Sequence, residues 1–369
     1  MHAVVVGGGI GGLAAAAGLH RVGWEVTVLE RAGEFGDVGA GISLWPNAQR
    51  CLQELGVDLG DRLAVQREGG LRDPRGRRIT RFDAAEFERR HGGPLAAVHR
   101  RDLIAALRDA IPAESLITDA EVTDVREDGL VRFAGGELHA DLVVAADGIR
   151  SRIRRTLFPH HPEPVHSGSS AFRGVARLPY TRLSTSFGRG TEVGVLPLTG
   201  DDVYWWICYR GEPGHRPEKP PATGWHDPIP ALIDATPPEN VLHHDLYHLG
   251  TPLPSYTRGR IALLGDAAHA MPPFLGQGGC QALEDAVVLA HTMSAKDVEH
   301  LARYDRQRRP RSQQVARASV RMGKLGPQLT NPVAAKLRTA VLKTLPAKQA
   351  VRAGAGITSW RPPALPRTP

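Results

Sequence analysis

Residues 2–30 read HAVVVGGGIGGLAAAAGLHRVGWEVTVLE, and this stretch decides the fold class. The apolar run Val4–Val6 predicts a buried strand, the small residues of Leu13–Arg21 predict a helix, and Glu25–Glu30 predicts a second strand. A strand, a helix and a strand in this order form a βαβ unit, in which the two strands lie parallel. Residues 2–30 are therefore predicted to form such a unit.

The turn between the first strand and the helix carries the spacing G-x-G-x-x-G, at Gly7, Gly9 and Gly12. Glycines at these positions permit a tight turn, close approach of a pyrophosphate, and close packing of helix on strand. The amino end of the following helix offers unpaired N–H groups to phosphate. Glu30, at the end of the second strand, is placed to accept hydrogen bonds from ribose hydroxyls. The pattern predicts a dinucleotide site.

The composition is ordinary for a globular protein of two interlocked subdomains. The chain has 369 residues, of which 41% are hydrophobic and 23% charged, so an ample buried core is expected. No apolar run is long enough to cross a bilayer, and no charged leader or apolar signal core precedes the first strand. We therefore expect a cytoplasmic enzyme without stable membrane association.

Charge and metal-ligand content argue against several other classes of protein. The formal net charge is +7, but the arginines are scattered, densest around Arg303–Arg321, and no recognition motif accompanies them, so no nucleic-acid partner is expected. The three cysteines have neither disulfide nor zinc spacing, and three neighbouring histidines lack an acidic partner at ligand spacing, so no metal is expected. These residues are Cys51, Cys208, Cys280, His243, His244 and His248.

The pattern changes along the chain. Strands around 121–126, 130–133, 142–146 and 260–264 are predicted to belong to the nucleotide-binding sheet. Residues 167–249 are strand-rich and aromatic instead, which predicts a separate mixed sheet. Helices are expected from about Asn47, Arg101, Gly279 and Leu301. The tail after Gly354 is rich in proline and is expected to be disordered.

Four segments, in order, resemble landmarks of the FAD-dependent monooxygenases of the para-hydroxybenzoate hydroxylase-like superfamily. Residues 39–47, GAGISLWPN, resemble the segment beside the flavin, and residues 99–103, HRRDL, resemble the family's H-R-x-D-L. Residues 145–151, AADGIRS, resemble its DG motif, implicated in FAD and NAD(P)H use. Residues 264–269, LGDAAH, resemble its GD motif and continue as MPPFLGQGGCQALEDA, again as the family has it.

The resemblance implies an α/β fold class: a Rossmann-like FAD-binding domain interleaved with a mixed β-sheet substrate domain, plus C-terminal helices. The first part of the FAD-binding domain is expected at 1–166, with a small inserted hairpin at about 60–95. The mixed-sheet substrate domain is expected at 167–255, the second part of the FAD-binding domain at 256–322, and a helical, partly Pro-rich tail at 323–369.

The resemblance also implies roles for particular residues. Arg100 contacts the cofactor, Asp266 binds the ribityl chain of the flavin, and the glycine run that opens a helix directs N–H groups at the flavin pyrimidine. His269 is expected to be a structural hydrogen-bonding partner rather than a base. The expected cofactor-binding residues are Gly7, Gly9, Gly12, Glu30, Arg31, Gly41, Arg100, Asp147, Gly148, Asp266, Gly276, Gly278 and Gly279.

The family's chemistry implies reduction of FAD by NADH or NADPH as a transient co-substrate, reaction with molecular oxygen to a flavin C4a-hydroperoxide, and hydroxylation of a small aromatic or heteroaromatic substrate. The cofactor carries the chemistry, and the protein orients the substrate and excludes water. The substrate pocket is expected between the flavin and the mixed sheet, with Arg173, Tyr204, Trp206 and Pro273 as candidate walls. Sheet packing and a surface ion pair are the alternative roles for these side chains.

Other functions stay open at this point. An epoxidase or reductase on the same fold, or a non-catalytic flavin-binding regulatory protein, would share the cofactor residues. A halogenase is disfavoured because no W-x-W-x-I-P segment occurs; Trp205-Trp206-Ile207 only echoes its letters. The sequence leaves open the substrate, the choice between NADH and NADPH, and whether the protein is a monomer or a homodimer.

Overall fold

A computed structural model of the chain describes residues 1–36, 40–222, 224–344 and 354–366. The strands are β1 (His2–Val6), β2 (Glu25–Leu29), β3 (Gly41–Leu44), β4 (Ala64–Val65), β5 (Gly69–Arg72), β6 (Ala96–His99), β7 (Leu116–Ile117), β8 (Val122–Val125), β9 (Leu130–Phe133), β10 (Gly136–His139), β11 (Leu142–Ala145), β12 (Val165–Arg177), β13 (Leu183–Phe187), β14 (Thr191–Pro197), β15 (Asp202–Arg210), β16 (Leu242–His248), β17 (Thr257–Arg258) and β18 (Ile261–Leu263). The helices are α1 (Ile10–Arg21), α2 (Pro46–Leu55), α3 (Ala84–His91), α4 (Arg100–Arg108), α5 (Arg152–Leu157), α6 (Ile229–Asp234), α7 (Asp266–His269), α8 (Gly278–Met293), α9 (Leu301–Leu325), α10 (Pro332–Thr344) and α11 (Ala355–Thr358).

The first sheet has the strand order β17-β18-β11-β1-β2-β7. Strand β1 pairs in parallel with both β2 and β11, and α1 connects β1 to β2, so the predicted βαβ unit is confirmed. Four of the five residues of β1 are buried, as expected for a strand covered on both faces. Helix α1 is rich in alanine and packs closely on α8, where a side chain at Gly18 would lie 2.9 Å from Cβ of Ala290.

The second large sheet has the order β16-β12-β15-β14-β13-β5. It is mixed, because β5 is parallel to β13 while the other pairs are antiparallel. One face packs on α6 through a buried cluster that includes Phe172, Trp205 and Leu232. The opposite face meets the first part of the chain, where Leu196 packs against Ala97 of β6. We call this second face the inner face.

The chain passes between the two sheets more than once. Strand β5, from residues 69–72, joins the mixed sheet, whereas β17 and β18 return to the first sheet after β16. The fold class is therefore the predicted one, a Rossmann-like domain interleaved with a mixed β-sheet domain and followed by C-terminal helices. The domain limits stay predictions, but β12 begins at Val165, before the expected limit at 166, and α9 continues to Leu325, past the expected limit at 322.

The predicted insertion at 60–95 contains a local hairpin. A turn does form at Asp73, whose carboxylate accepts hydrogen bonds from the N–H groups of Arg75 and Arg77 at 3.0 Å each. The residues on either side of this turn pair with each other: Arg72 bridges Arg78 in antiparallel orientation, and the N–H of Ile79 donates to the carbonyl of Leu71 at 2.8 Å. Strand β5 also pairs with β13, and β4 pairs with β6, so this hairpin is joined to other parts of the chain and does not stand alone.

The expected disorder after Gly354 is wrong for residues 354–366. Thr358 and Leu365 are buried, and the guanidinium of Arg50 donates to the carbonyls of Thr358 (2.6 Å) and Trp360 (2.8 Å). The proline content gave no indication of these few contacts, which attach the segment to α2. Within the described ranges, none of the helices combines the length and the apolarity needed to cross a membrane.

Candidate functional site

The glycine turn after β1 has the geometry that its three glycines predict. Gly7 has a φ of +108°, and a side chain there would lie 2.4 Å from the carbonyl oxygen of Ala146. A side chain at Gly12 would lie 1.9 Å from the carbonyl oxygen of Gly7, so α1 packs directly on the strand. At Gly9 a side chain would meet no described atom within 4 Å. Protein atoms therefore pack closely around Gly7 and Gly12, whereas Gly9 faces open space.

Glu30 follows β2 and lies beside this turn. Its carboxylate accepts hydrogen bonds from the N–H groups of Gly8 (2.6 Å) and Ala32 (2.9 Å). Arg31 is exposed next to it. Sequence reasoning anticipated the position of Glu30 but missed its bond to the turn, which adds a structural role to the expected one.

The DG segment follows β11, the strand beside β1. One carboxylate oxygen of Asp147 accepts a hydrogen bond from the N–H of Ile153 at 3.2 Å. The other oxygen is buried and has no partner among the described residues. Gly148 has a φ of +79°, and a side chain there would meet nothing within 4 Å. A buried acceptor and an open glycine thus lie at the carboxyl edge of the sheet.

Asp266 begins α7 at the same edge of the sheet. The residue is exposed to solvent, yet the protein atoms packed around its carboxyl raise the pKa of that group; His269, Arg100 and Arg154 oppose the shift. Arg100, the first residue of α4, donates its N–H to the carbonyl of Ala40 at 2.9 Å. Asp266 and Arg100 are therefore brought near each other from segments far apart in sequence.

The glycine run 276–279 leads into α8, whose amino end lies at Gly278. Side chains at Gly276 and Gly279 would lie 2.8 Å from Oγ of Ser43 and 2.9 Å from Cδ1 of Ile42, so this loop packs closely on β3. At Gly278 a side chain would meet no described atom within 4 Å. A helix amino end with an open glycine can hold a negatively charged group.

Strand β3 connects the cofactor segments with the inner face. A side chain at Gly41 would lie 2.6 Å from Cβ of Tyr204 on β15. Gly41 therefore lets the small sheet of β3, β6 and β4 approach the mixed sheet, a role that sequence reasoning missed. Gly39, at the start of the same predicted motif, lies outside the described residues.

Behind the glycine run lies a buried ion network that the sequence analysis did not predict. Arg308 of α9 binds Asp285 and Glu284 of α8 at 2.6 Å each, and Arg311 binds Glu284 at 2.6 Å. Nε2 of His269 lies 2.5 Å from Asp285, which gives His269 the structural partner expected of it. Burial alone would raise the pKa of Asp285, but His269 and Arg308 hold it below its usual value. The network fixes α8 against α7 and α9.

Three of the four candidate wall residues share the inner face. Arg173 lies directly opposite Trp206 in the pairing of β12 with β15, and Tyr204 precedes Trp206 by two residues. The rings of Tyr204 and Trp206 are 5.5 Å apart between centroids. Burial raises the pKa of the Tyr204 phenol while Arg173 opposes that shift, and the guanidinium of Arg173 lies 3.3 Å from Nδ1 of His244. All three wall side chains are half-buried.

Pro273 reaches the site from a different direction. It is exposed at the start of a short 3-10 helix, Pro273–Leu275. This segment is held by α9, because Ser319 donates to the carbonyl of Pro272 at 2.6 Å and the ring of Phe274 packs against Gly323. Helix α9 therefore positions Pro273, while β12 and β15 position the other candidate walls.

A separate cavity of about 260 Å³ lies between α9 and the segments 248–252 and 268–270. Its lining includes Arg317, Val320, Arg321 and Lys324 and none of the four candidate wall residues. It shares Ala268–Ala270 with the GD segment. This cavity is a second place where a small molecule could bind.

Together, the cofactor segments fit a dinucleotide. Gly9, Gly148 and Gly278 are open, the glycine turn presents a helix amino end, and the buried oxygen of Asp147 has no partner among the described residues. Residues 1–319 match the FAD binding domain family. The chain belongs to this family. FAD is therefore its cofactor.

Similar proteins of known activity show which class of FAD-binding protein the chain belongs to. The chain is 37% identical over 363 residues to the aurachin C monooxygenase/isomerase of Stigmatella aurantiaca, covering 93% of this chain and 94% of that protein. It is 32% identical over 337 residues to the FAD-dependent urate hydroxylase of Klebsiella oxytoca, covering 84% and 86%. The crystal structure of Klebsiella pneumoniae HpxO with FAD and uric acid superposes with a TM-score of 0.90 at 27% identity, covering 97% and 96%. The chain is an enzyme of the FAD-dependent aromatic monooxygenase family.

Proposed function

We propose that this enzyme uses NADH or NADPH and molecular oxygen to hydroxylate a small aromatic or heteroaromatic substrate held between bound FAD and the inner face. The observation that carries the proposal is the contact of Gly41 with Tyr204, since it brings the aromatic wall against the strand that leads into the cofactor segments. The names of the related hydroxylases agree with a substrate of this kind.

Bound FAD supplies the redox chemistry and the activation of oxygen. In our proposal the turn at Gly7, Gly9 and Gly12 and the carboxylate of Glu30 hold its ADP half. Arg100, Asp147 and Asp266 hold its central chain. The amino end of α8 at Gly278 stabilises negative charge at the flavin ring. Arg31, Gly41, Gly148, Gly276 and Gly279 complete the proposed contacts.

The chain's own contribution at the reacting end is orientation. Tyr204 and Trp206 offer flat surfaces on which an aromatic ring can stack, and Arg173 directs a polar group of that ring. Pro273 closes the site from the side of α9. Because a misplaced ring is not at reacting distance, orientation determines how much of the reducing equivalent ends in product rather than in hydrogen peroxide.

The test is a screen of aromatic acids, phenols and purine-like heterocycles for stimulated NAD(P)H consumption, with product mass and hydrogen peroxide measured. Arg173→Ala and Trp206→Ala should retain FAD but form less product and more peroxide per NAD(P)H. Thr251→Trp, which fills the separate cavity from the segment 248–252 and not from α9, is the matched control and should leave coupling unchanged. The reverse pattern, with coupling lost only in Thr251→Trp, would move the substrate to that cavity.

An epoxidase, a reductase or a non-catalytic flavin-binding protein would give different results in this screen. An epoxidase would add oxygen to a double bond, and a reductase would consume NAD(P)H without incorporating oxygen. A regulatory protein would bind FAD without substrate-stimulated NAD(P)H oxidation. The cytoplasmic location and the monomeric or homodimeric state stay predictions.

A further inference from the structure

Glu192 is a buried carboxyl group on the inner face that the roles above do not use. It lies on β14, directly opposite Cys208 of β15 and two residues from Gly194. The indole of Trp206 covers Gly194, where a side chain would lie 1.9 Å from Cζ2 of the ring. Glu192 therefore lies on the same face as Tyr204 and Trp206, next to the aromatic wall.

The position of Glu192 along the sheet places it at the end remote from the cofactor segments. Tyr204 touches Gly41 of β3, and Trp206 and Cys208 follow it along β15 at two-residue steps of about 7 Å each. Glu192 is opposite Cys208, and Trp206 is near enough to its carboxyl to oppose the rise in pKa that burial causes there. A ring stacked on Trp206 would therefore have this carboxyl at its far edge.

Structural needs do not account for this carboxyl. Elsewhere in the protein, buried Glu284 and Asp285 are compensated by direct ion pairs with arginine. Among the described residues, no lysine or arginine lies within ion-pair distance of Glu192. Arg338 attracts it, but the guanidinium of Arg338 donates to the carbonyls of Leu325 (2.8 Å) and Gly188 (3.1 Å). Because burial of a carboxylate without a full set of partners is costly, the free acceptor capacity calls for a functional reason.

Burial raises the pKa of Glu192 to about 7, although Trp206 and Arg338 oppose the shift. The titratable or charged neighbours are Cys208 on β15 and Arg338 on α10. Burial raises the pKa of the Cys208 thiol well above its usual value, so it stays neutral. The charge of Glu192 therefore changes near neutral pH.

We propose that Glu192 determines substrate specificity by accepting a hydrogen bond from an N–H or O–H group at the flavin-remote end of an aromatic substrate stacked on Trp206, and by repelling substrates that carry a carboxylate there. The inference rests on the proposed substrate site at the inner face. An ionised acceptor strengthens a hydrogen bond from a donor and disfavours an anion in the same place. Arg173, on β12, provides the opposite preference on the other side of Trp206.

Three matched probes test the proposal: 2-naphthol offers a donor, 2-methoxynaphthalene lacks it, and 2-naphthoate carries a carboxylate. Their binding to the FAD-loaded protein is followed by the change in flavin absorbance. Wild type should bind 2-naphthol about tenfold or more tighter than either analogue. Its affinity for 2-naphthol should rise between pH 6 and pH 8, as Glu192 loses its proton, and its affinity for 2-naphthoate should fall.

The variants separate recognition from packing. Glu192→Gln keeps the volume but not the charge, so it should lose both the preference and the pH dependence while retaining FAD and melting temperature. Glu192→Arg should reverse the preference towards 2-naphthoate. Glu212→Gln, at an exposed glutamate, is the control and should behave as wild type.

Each other outcome overturns the inference in a distinguishable way. If Glu192→Gln keeps the preference and the pH dependence while probes still bind and Trp206→Ala still weakens them, Glu192 only supports the packing of Trp206, and the substrate site stands. If no probe perturbs the flavin of the wild type, or if Trp206→Ala binds them all unchanged, the substrate site at the inner face is wrong, and the inference falls with it.

Discussion

Asp266 combines two opposed effects in a single side chain. Burial raises the pKa of its carboxyl, so the charged form at neutral pH is disfavoured by the surrounding protein. An acid whose pKa is raised on folding destabilises the folded state at every pH where it is ionised. The same charged oxygen is the acceptor that we propose for the ribityl hydroxyls. Hydrogen bonds from bound FAD therefore offset the destabilisation of the apoprotein.

Asp266→Asn should therefore weaken FAD binding and stabilise the apoprotein. Loss of a charged acceptor removes about 1.5–3 kcal/mol, which is roughly tenfold to a hundredfold in affinity. FAD titration by fluorescence measures the first effect, and thermal unfolding of apoprotein at pH 7 measures the second. Asp128→Asn, at an exposed loop position, is the control. Unchanged FAD affinity would remove Asp266 from the cofactor site.

The glycines of the turn after β1 differ from one another in what surrounds them. A side chain at Gly12 would clash with backbone at 1.9 Å, and backbone cannot yield as a flexible side chain can. A side chain at Gly9 would meet no described protein atom within 4 Å. Gly12 therefore serves packing, and Gly9 leaves space on the side where we place the pyrophosphate.

Gly9→Ala and Gly12→Ala should consequently separate folding from cofactor binding. Gly12→Ala is expected to lower the melting temperature of the apoprotein as well as FAD affinity. Gly9→Ala should unfold like wild type without FAD but bind FAD at least tenfold more weakly, since its methyl group occupies the path of the phosphate. Equal FAD affinity in Gly9→Ala and wild type would mean that the pyrophosphate lies elsewhere.

At the scale of whole elements, α9 connects the cofactor site with the substrate site. Its amino half supplies Arg308 and Arg311 to the buried carboxylates of α8, and its carboxyl half holds the Pro273 segment through Ser319 and Gly323. The basic character of this helix, visible in the sequence, therefore serves the interior as well as the surface. Displacement of α9 would alter both sites together.

Arg308→Met should break the network that fixes α8. Removing one partner of a buried ion pair leaves an uncompensated charge and costs about 3–5 kcal/mol of the free energy of unfolding. Because the pKa of Asp285 is held below its usual value, its contribution is present above about pH 4 and is lost as the pH falls further. Urea unfolding from pH 3 to pH 7 should show a shallower loss on acidification in Arg308→Met. Exposed Arg306→Met, on the same helix, should match wild type at every pH.

Across the whole molecule, features set by residues that are neighbours in the sequence could be predicted. Features set by contacts between distant segments could not. The turn at Gly7–Gly12 and the position of Glu30 follow from residue spacing, because the strand, the turn and the helix are adjacent in the chain. Strand alternation likewise placed Tyr204 and Trp206 on one face. The role of Glu192 depends on which residues of β15 and α10 face it, and no pattern within β14 encodes those neighbours.

The C-terminal segment is another case in which contacts with distant parts of the chain could not be predicted from the sequence. Its composition predicted disorder, yet residues 354–366 lie against α2 and α9, at sequence separations of 311 for Leu365 and Glu54 and 46 for Ile357 and Arg311. A few anchors suffice: the N–H of Leu365 donates to Glu54 at 3.0 Å, and Arg311 donates to the carbonyl of Ile357 at 2.7 Å. Composition averages over the residues between such anchors and so cannot detect them.

Trp360 should be the strongest of these anchors. Its ring lies under the guanidinium groups of Arg308 and Arg311, at 5.6 and 5.1 Å from the ring centroid, so it covers the outer side of the ion network. Cation–π contacts of partly desolvated arginines contribute about 1–2 kcal/mol, and Trp360→Ala should lower the free energy of unfolding by an amount on that order. It should also speed amide hydrogen exchange in α2 and α8, whereas exposed Ser359→Ala should change neither. If Trp360→Ala unfolds and exchanges like wild type, the segment lies on the network without stabilising it, and the buried arginines depend on α8 alone.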